Sequence, residues 1–246
     1  MMREIRKKMV ILRNRSPFPQ EVKAYLNDLE YREWISMNMR LSGSSLSMEQ
    51  IDTILRGGCI MEATVSDHLM LDRLEELRQF IYRLTDLGAP LSETIVRDMH
   101  AILVGKNERE DYRKSTPVLR EYDCMAMTAD LIPGAMVQLM RFAEQKTDSA
   151  AGSLYNPLER AVLVHNRLLE IYPFREENEM VARAAMYYMV AEAGLPMAAV
   201  KLDAEEYRQA FLRYRSRASN LCLAKHLGQA VVDRLELMIQ LTQYEI

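Results

Sequence analysis

Apolar residues recur along most of this chain at spacings of three and four, the period that turns one side of a helix toward a core. Read this way, the pattern predicts helices at about 19–35, 48–57, 64–86, 92–103, 132–147, 157–171, 178–193, 203–218 and 223–243, with ends good to about 2–4 residues. Several have start and stop signals. Asn156 precedes Pro157 and Glu159, giving a cap, a proline at the first helical position and an acid at the third. Asp203 and Glu206 form a capping-box-like pair, and Gly88 and Gly194 stand where two helices should end. Between Asp111 and Ala129 the helical period lapses. Ser115 to Leu119 and Tyr122 there have the β-branched and aromatic content of a small hairpin or flap. No alternating run is long enough for a full sheet, so the fold class is mainly α. Met9 to Leu12 fits either a short strand or the first turn of a helix.

Composition narrows this picture only a little. With 246 residues and 49% hydrophobic content, the chain can bury a substantial core. Its 32 basic and 35 acidic residues give no bulk attraction to nucleic acid or to a membrane surface. Six Lys or Arg fall within residues 1–16, a pattern open to a small partner or nucleic-acid contact, although a solvated terminal segment explains it more simply. Cys59, Cys124 and Cys222 match neither a disulfide framework nor a zinc spacing, which fits the reducing cytoplasm. The longest apolar stretch, around Ala184 to Ala191, is too short to span a bilayer.

The candidate chemistry lies in residues 156–183, NPLERAVLVHNRLLEIYPFREENEMVAR. Leu158, Ala161, Val162, His165, Leu168, Leu169 and Tyr172 share one helix face, Pro173 ends that helix, and a turn through Glu177 feeds a second helix at Asn178. A loop opening into a helix N-terminus offers unpaired N–H groups and positive potential, the general basis of phosphate binding. A plainer account makes Asn178 a helix cap, sets the Glu cluster against the dipole and pairs Arg183 with an acid. By the same account His100 and His165 are hydrogen-bonded core histidines.

Tyr172-Pro173-Phe174 and the residues after it resemble the Fic family signature H-P-F-x-[DE]-G-N-G-R-x-x-R. Pro173, Phe174, Glu176, Asn178 and Arg183 match; Tyr172 replaces the His, Glu177 and Glu179 replace the two glycines, and Met180 replaces the first Arg. The resemblance covers about residues 38–214 and implies the Fic/Fido helical fold with a short β-hairpin flap. It also implies an ancestry of AMP transfer from ATP to a protein hydroxyl. In that scheme the His is the base, the acid at Glu176 holds Mg²⁺, and Asn178 and Arg183 bind the nucleotide. Asp111-Tyr112-Arg113, with Thr116 and Val118, resembles the flap that pairs with a target chain. Residues 38–51 resemble the family's inhibitory segment, with Ser42 at the inhibitory Glu position; a rival register would put Glu49 there. The domain division expected is a 1–37 N-terminal extension and a 38–246 Fic-like domain that includes vestigial inhibitory segment 38–51.

A phenol with a pKa near 10 is ionised only to about one part in a thousand at neutral pH, so Tyr172 is a poor base, and its loss alone costs about 10²–10⁴ in rate. Carboxylates at Glu177 and Glu179 oppose phosphate by about 1 kcal/mol each in a watery setting and about 4 kcal/mol at intermediate dielectric. The preferred expectation is a catalytically silent binding or regulatory module that engages a protein partner through flap and groove. It carries no cofactor, with Mg²⁺ and ATP relevant only to a competent site, and homo-oligomerisation is left open. The alternative is a divergent nucleotidyl- or phospho-transferase with Glu176 or Glu177 as base.

Overall fold

The computed structural model describes residues 1–144, 156–217 and 219–243, and in these the chain is built from ten α-helices and one small hairpin. The helices are α1 (Met2–Arg15), α2 (Gln20–Leu41), α3 (Met48–Leu55), α4 (Val65–Asp86), α5 (Glu93–Val104), α6 (Ile132–Glu144), α7 (Pro157–Ile171), α8 (Asn178–Glu192), α9 (Ala204–Arg217) and α10 (Leu221–Leu241). Strands β1 (Val118–Leu119) and β2 (Cys124–Met125) pair antiparallel, Val118 opposite Met125, around a 3-10 turn at Arg120–Tyr122. The expected helices and flap are present. The expected ends at 145–147 and 218 lie outside the described residues.

The central feature is the pair α7–α8, packed along their length, with α4 and α5 against α8 and with α6 and α10 against α7. Burial goes beyond the single stripe the sequence suggests: every residue from Met180 to Val190 is buried, as are Arg160, Val164, Asn166 and Ile171 on α7. A helix enclosed on all sides cannot show a one-sided period. The local signals operate as expected. Asn156 accepts from the N–H groups of Leu158 and Glu159 while Glu159 accepts from Asn156, and Gly88 and Gly194 take φ of 68° and 70° just past their helices.

Two regions depart from expectation. Met9 to Leu12 lies well inside α1, a 14-residue helix whose Ile5 and Leu12 bury against α10. Helix α2 runs on past residue 35 to Leu41, because Ile35, Met37, Asn38, Met39 and Leu41 are all buried. Arg78 of α4 bonds Glu30 at 3.0 Å and Arg234 of α10 bonds Glu33 at 2.7 Å, tying those helices to α2. No described helix is long and apolar enough to cross a membrane.

Candidate functional site

Helix α7 ends at Tyr172, which takes left-handed φ 49° and donates its N–H to the Leu168 carbonyl at 2.8 Å. The turn that follows is held from two sides. Asn178, 2% exposed, accepts from the Phe174 N–H at 2.8 Å and donates to the carbonyls of Phe174 and Glu176 at 3.0 and 3.4 Å. It therefore occupies the first position of α8 and grips the preceding loop; Glu177 stands at the cap with no capping side-chain bond. The expected cap at Asn178 is corrected on that geometry. From the other side, the buried Arg113 guanidinium donates to the carbonyls of Tyr172 (2.6 Å), Ile171 (3.1 Å), Ser115 and Met127, and its backbone N–H donates to Pro173 O at 3.0 Å. One side chain thus fastens the flap's base to the α7–α8 turn. Burial lowers its pKa, yet guanidinium stays charged.

Arg183 lies under this turn, fully buried. It donates to Asn38 Oδ1 and to Ser42 Oγ, both at 2.9 Å, and stacks over the Tyr207 ring at 5.6 Å. Its hydrogen-bond partners are neutral groups of α2 and the turn after it, while the acid expected for it stands at ion-pair distance. The nearest carboxylate is Glu179, one turn back on α8, whose Oε2 is 4.0 Å from Arg183 Nη1, a buried nitrogen with no hydrogen-bond partner. The other oxygen of Glu179 accepts from Tyr122 OH at 2.5 Å. Glu179 therefore stands between the buried cation and the flap turn. Burial and the Glu179 charge both push the Tyr122 phenol well above its ordinary range. Ser42 thus meets Arg183, whereas Glu49 is exposed on α3.

Above this floor a groove of about 1060 Å³ runs between the α2–α3 turn, the flap, the α7–α8 turn and the start of α9. Tyr172, Glu177, Asn178, Glu179 and Met180 line it, with Val118 and Tyr122 on the flap wall; Arg183 is sealed below. Val118 is exposed and Thr116 half-buried. Glu177, the cap residue of α8, has φ 57°, a left-handed conformation that glycine adopts freely and a side chain does not. Burial first, then the neighbouring Glu176 charge, raises its pKa. Burial and Glu179 likewise raise that of Tyr172, which moves the phenol further from service as a base.

The residues present do not fit a metal-bound triphosphate held as the family resemblance implies. Asn178 spends its amide on the loop backbone, Arg183 is enclosed, and the position beside it is taken by the Glu179 carboxylate. Glu176 is exposed, and the described residues contain no group of three or more His, Cys, Asp or Glu suited to a metal.

The two histidines differ. His165, 1% exposed, meets Asn166 Oδ1 through Nδ1 at 2.9 Å and Tyr207 OH through Nε2; burial lowers its pKa to about 4, so it is a neutral core imidazole. His100 is buried and stacks on Phe174 at 3.9 Å; burial lowers its pKa, and the Glu176 backbone is a polar neighbour that opposes the shift. Sequence reasoning missed Arg113 as the clamp, Asn38 as a partner of Arg183 and Tyr122 as a partner of Glu179. Each lay in a segment the sequence singled out, Arg113 and Tyr122 in the flap region and Asn38 at the start of 38–51, but no pattern announced its bonding partner.

A helix–turn–helix with a short antiparallel flap over its turn defines a class, and comparison with known proteins identifies it. Residues 90–190 match the Fic/DOC family model. The protein adenylyltransferases fic-1 of Caenorhabditis briggsae and Caenorhabditis elegans are each 21% identical, over 80% of this chain and 41% of theirs, so the chain spans about two fifths of those relatives. A Fic domain containing signaling protein from Bacteroides thetaiotaomicron superposes with a TM-score of 0.82 at 18% identity, covering 99% of this chain and 100% of that one. Fic-1 from C. elegans gives 0.78 at 14%, over 97% and 72%. Residues 90–190 therefore carry the Fic/DOC match, and the chain has the Fic fold.

Proposed function

We propose that this Fic-fold protein does not transfer AMP and works as a binding or regulatory module, engaging an extended segment of a partner protein along the flap and groove. One observation carries the reading: Glu179 stands beside Arg183 and is bonded to Tyr122 of the flap, which sets a fixed carboxylate where an incoming phosphate would need the cation. Tyr172 at the base position and the strained Glu177 at the turn point the same way. The groove stays wide enough for side chains, and the exposed Val118 beside it belongs to a two-residue strand with one pairing partner. A free strand edge is a standard place for a peptide to add backbone hydrogen bonds.

The test is incubation of the purified protein with ATP and Mg²⁺ or Mn²⁺, alone and with a cell lysate, read by intact-protein mass spectrometry and by thermal shift. No adenylylated product and no shift at millimolar nucleotide are expected. A nucleotide adduct that depends on this protein overturns the reading. The alternative, a divergent transferase, draws on one feature, the groove-facing Glu177 with a raised pKa that suits a general base. A product lost in Glu177→Gln would establish it.

A further inference from the structure

Helix α1 is anchored on one side and unpartnered on the other. It runs parallel to α10, with the Met1 side chain over Gly228, Lys8 on Glu236 at 2.8 Å and Arg15 on the Ile239 carbonyl at 2.6 Å. Those contacts engage two of the six cations that α1 carries. The other four, Arg3, Arg6, Lys7 and Arg13, are exposed and have no ion pair or hydrogen bond among the described residues. Arg3, Arg6, Lys7, Val10 and Asn14 fall within about 100° of arc opposite the buried Ile5 and Leu12. Val10 is 55% and Ile11 40% exposed, and with Arg3, Arg6 and Lys7 they line a shallow groove of about 620 Å³. The one acid of α1, Glu4, lies off this arc, 3.8 Å from Lys8. The two acids of α10 are also engaged, Glu236 by Lys8 and Asp233 by Lys201 at 3.6 Å.

The chain as a whole has a net charge of −3, so this face is a local cationic patch on an acidic protein. We infer that the outer face of α1 docks on an anionic lipid surface, with the helix lying in the plane of the headgroups. Four unpaired cations on one helix are what such a surface attracts, each raising partitioning about fivefold. Val10 and Ile11 decide between a lipid surface and a nucleic acid. A phosphate backbone is met by the Lys and Arg alone and leaves the two β-branched side chains in water. A bilayer takes both sets, the cations at the phosphates and the apolar tips in the headgroup layer between them. The contact is peripheral, since no described helix is long and apolar enough to cross a membrane. The α1 groove shares no lining residue with the groove over the α7–α8 turn, so docking is separable from partner binding there.

Vesicle flotation with the whole chain tests the contact. Vesicles of phosphatidylcholine with about one third phosphatidylserine should carry the chain upward at about 50 mM salt and release it at about 500 mM, as the charges are screened. Vesicles of phosphatidylcholine alone should leave it behind. Arg3→Glu with Lys7→Glu lowers the partition coefficient about twentyfold or more. Val10→Ser with Ile11→Ser keeps every charge and lowers it about fivefold. All four side chains are exposed, so circular dichroism and melting should be unchanged in both variants. No flotation at low salt, equal flotation on neutral vesicles, or flotation indifferent to either variant overturns the proposal. Fluorescence anisotropy with duplex DNA and with RNA supplies the competing outcome. Binding to either that is tighter than to the anionic vesicles at matched salt, lost with the charge reversal and unmoved by the serine pair, overturns the lipid reading in favour of a nucleic acid.

Discussion

The two faces of the α7–α8 turn make the most useful comparison in this molecule. Beneath it, Asn178, Arg183, Arg113 and His165 are buried and nearly fully engaged with backbone or side-chain partners. Above it, Tyr172, Glu177 and Glu179 face a groove, and two of the three have left-handed or pKa-raised states that suit no obvious structural task. Two of the residues that match the family signature, Asn178 and Arg183, spend their polar atoms on holding the fold, whereas the four that depart from it, Tyr172, Glu177, Glu179 and Met180, line the open side; the exposed Glu176 is a match without such a task. A matching motif residue is therefore weak evidence for chemistry when its polar atoms are all spent on the protein itself.

If that division is sound, the buried side should fail first and hardest. Arg113→Ala removes the donor shared by four carbonyls and the pin between flap and turn. Each buried acceptor left bare costs about 1–3 kcal/mol, so a loss of about 3–5 kcal/mol in urea denaturation is expected after partial relaxation. A loss below about 1 kcal/mol would show that the turn holds itself and that the comparison is wrong.

A pH titration probes the same buried layer without altering its volume. His165 has its pKa pushed down to about 4 by burial, against about 6.5 in the unfolded chain. Between those values the unfolded state binds a proton that the folded state refuses, so stability present above pH 6.5 is lost as pH falls toward 4. The loss is on the order of 2–3 kcal/mol by pH 4.5. Other groups add to the total, so the readout is the difference between the parent and His165→Gln, whose denaturation should fall off less between pH 7.5 and 4.5. Parallel curves would place His165 in contact with solvent.

Asn178 comes next. Replacing it with Ala frees the Phe174 N–H and two carbonyls of the loop, for an expected cost of about 2 kcal/mol. The predicted signature is local: faster amide hydrogen exchange at Phe174 to Glu177, with the α7 amides protected as before. Uniform acceleration along α7 would assign Asn178 to the core and not to the turn.

The helices were legible because caps and stop signals are local: Asn156 with Glu159, Asp203 with Glu206 and Gly88 all act within a few residues of where they stand. The flap was legible by a lapse in period. What the sequence hid was tertiary. Arg113 bonds backbone carbonyls, which every residue carries, so no side-chain pattern announces its partners. Helix α1 was obscured by four consecutive apolar residues, Met9 to Leu12, of which only Leu12 is buried. The Glu179–Tyr122 bond joins residues 57 apart and follows from no spacing rule.

The smallest effect is expected above the turn and has the opposite sign. Glu177 holds φ 57° with a side chain, where a left-handed backbone costs about 1 kcal/mol relative to glycine, and its carboxylate is half-buried beside Glu176. Glycine is more flexible when unfolded, which takes back part of the gain. Glu177→Gly should therefore stabilise the chain by about 0.5–1 kcal/mol, a few degrees in melting temperature at most. The charge term separates from the backbone term in Glu177→Gln, which keeps the strained conformation and should gain only at pH values where the carboxyl is ionised. Stabilisation by Gly but not by Gln assigns the strain to the backbone. Destabilisation by both would mean that Glu177 has a structural task after all, and the two faces of the turn would no longer differ in kind.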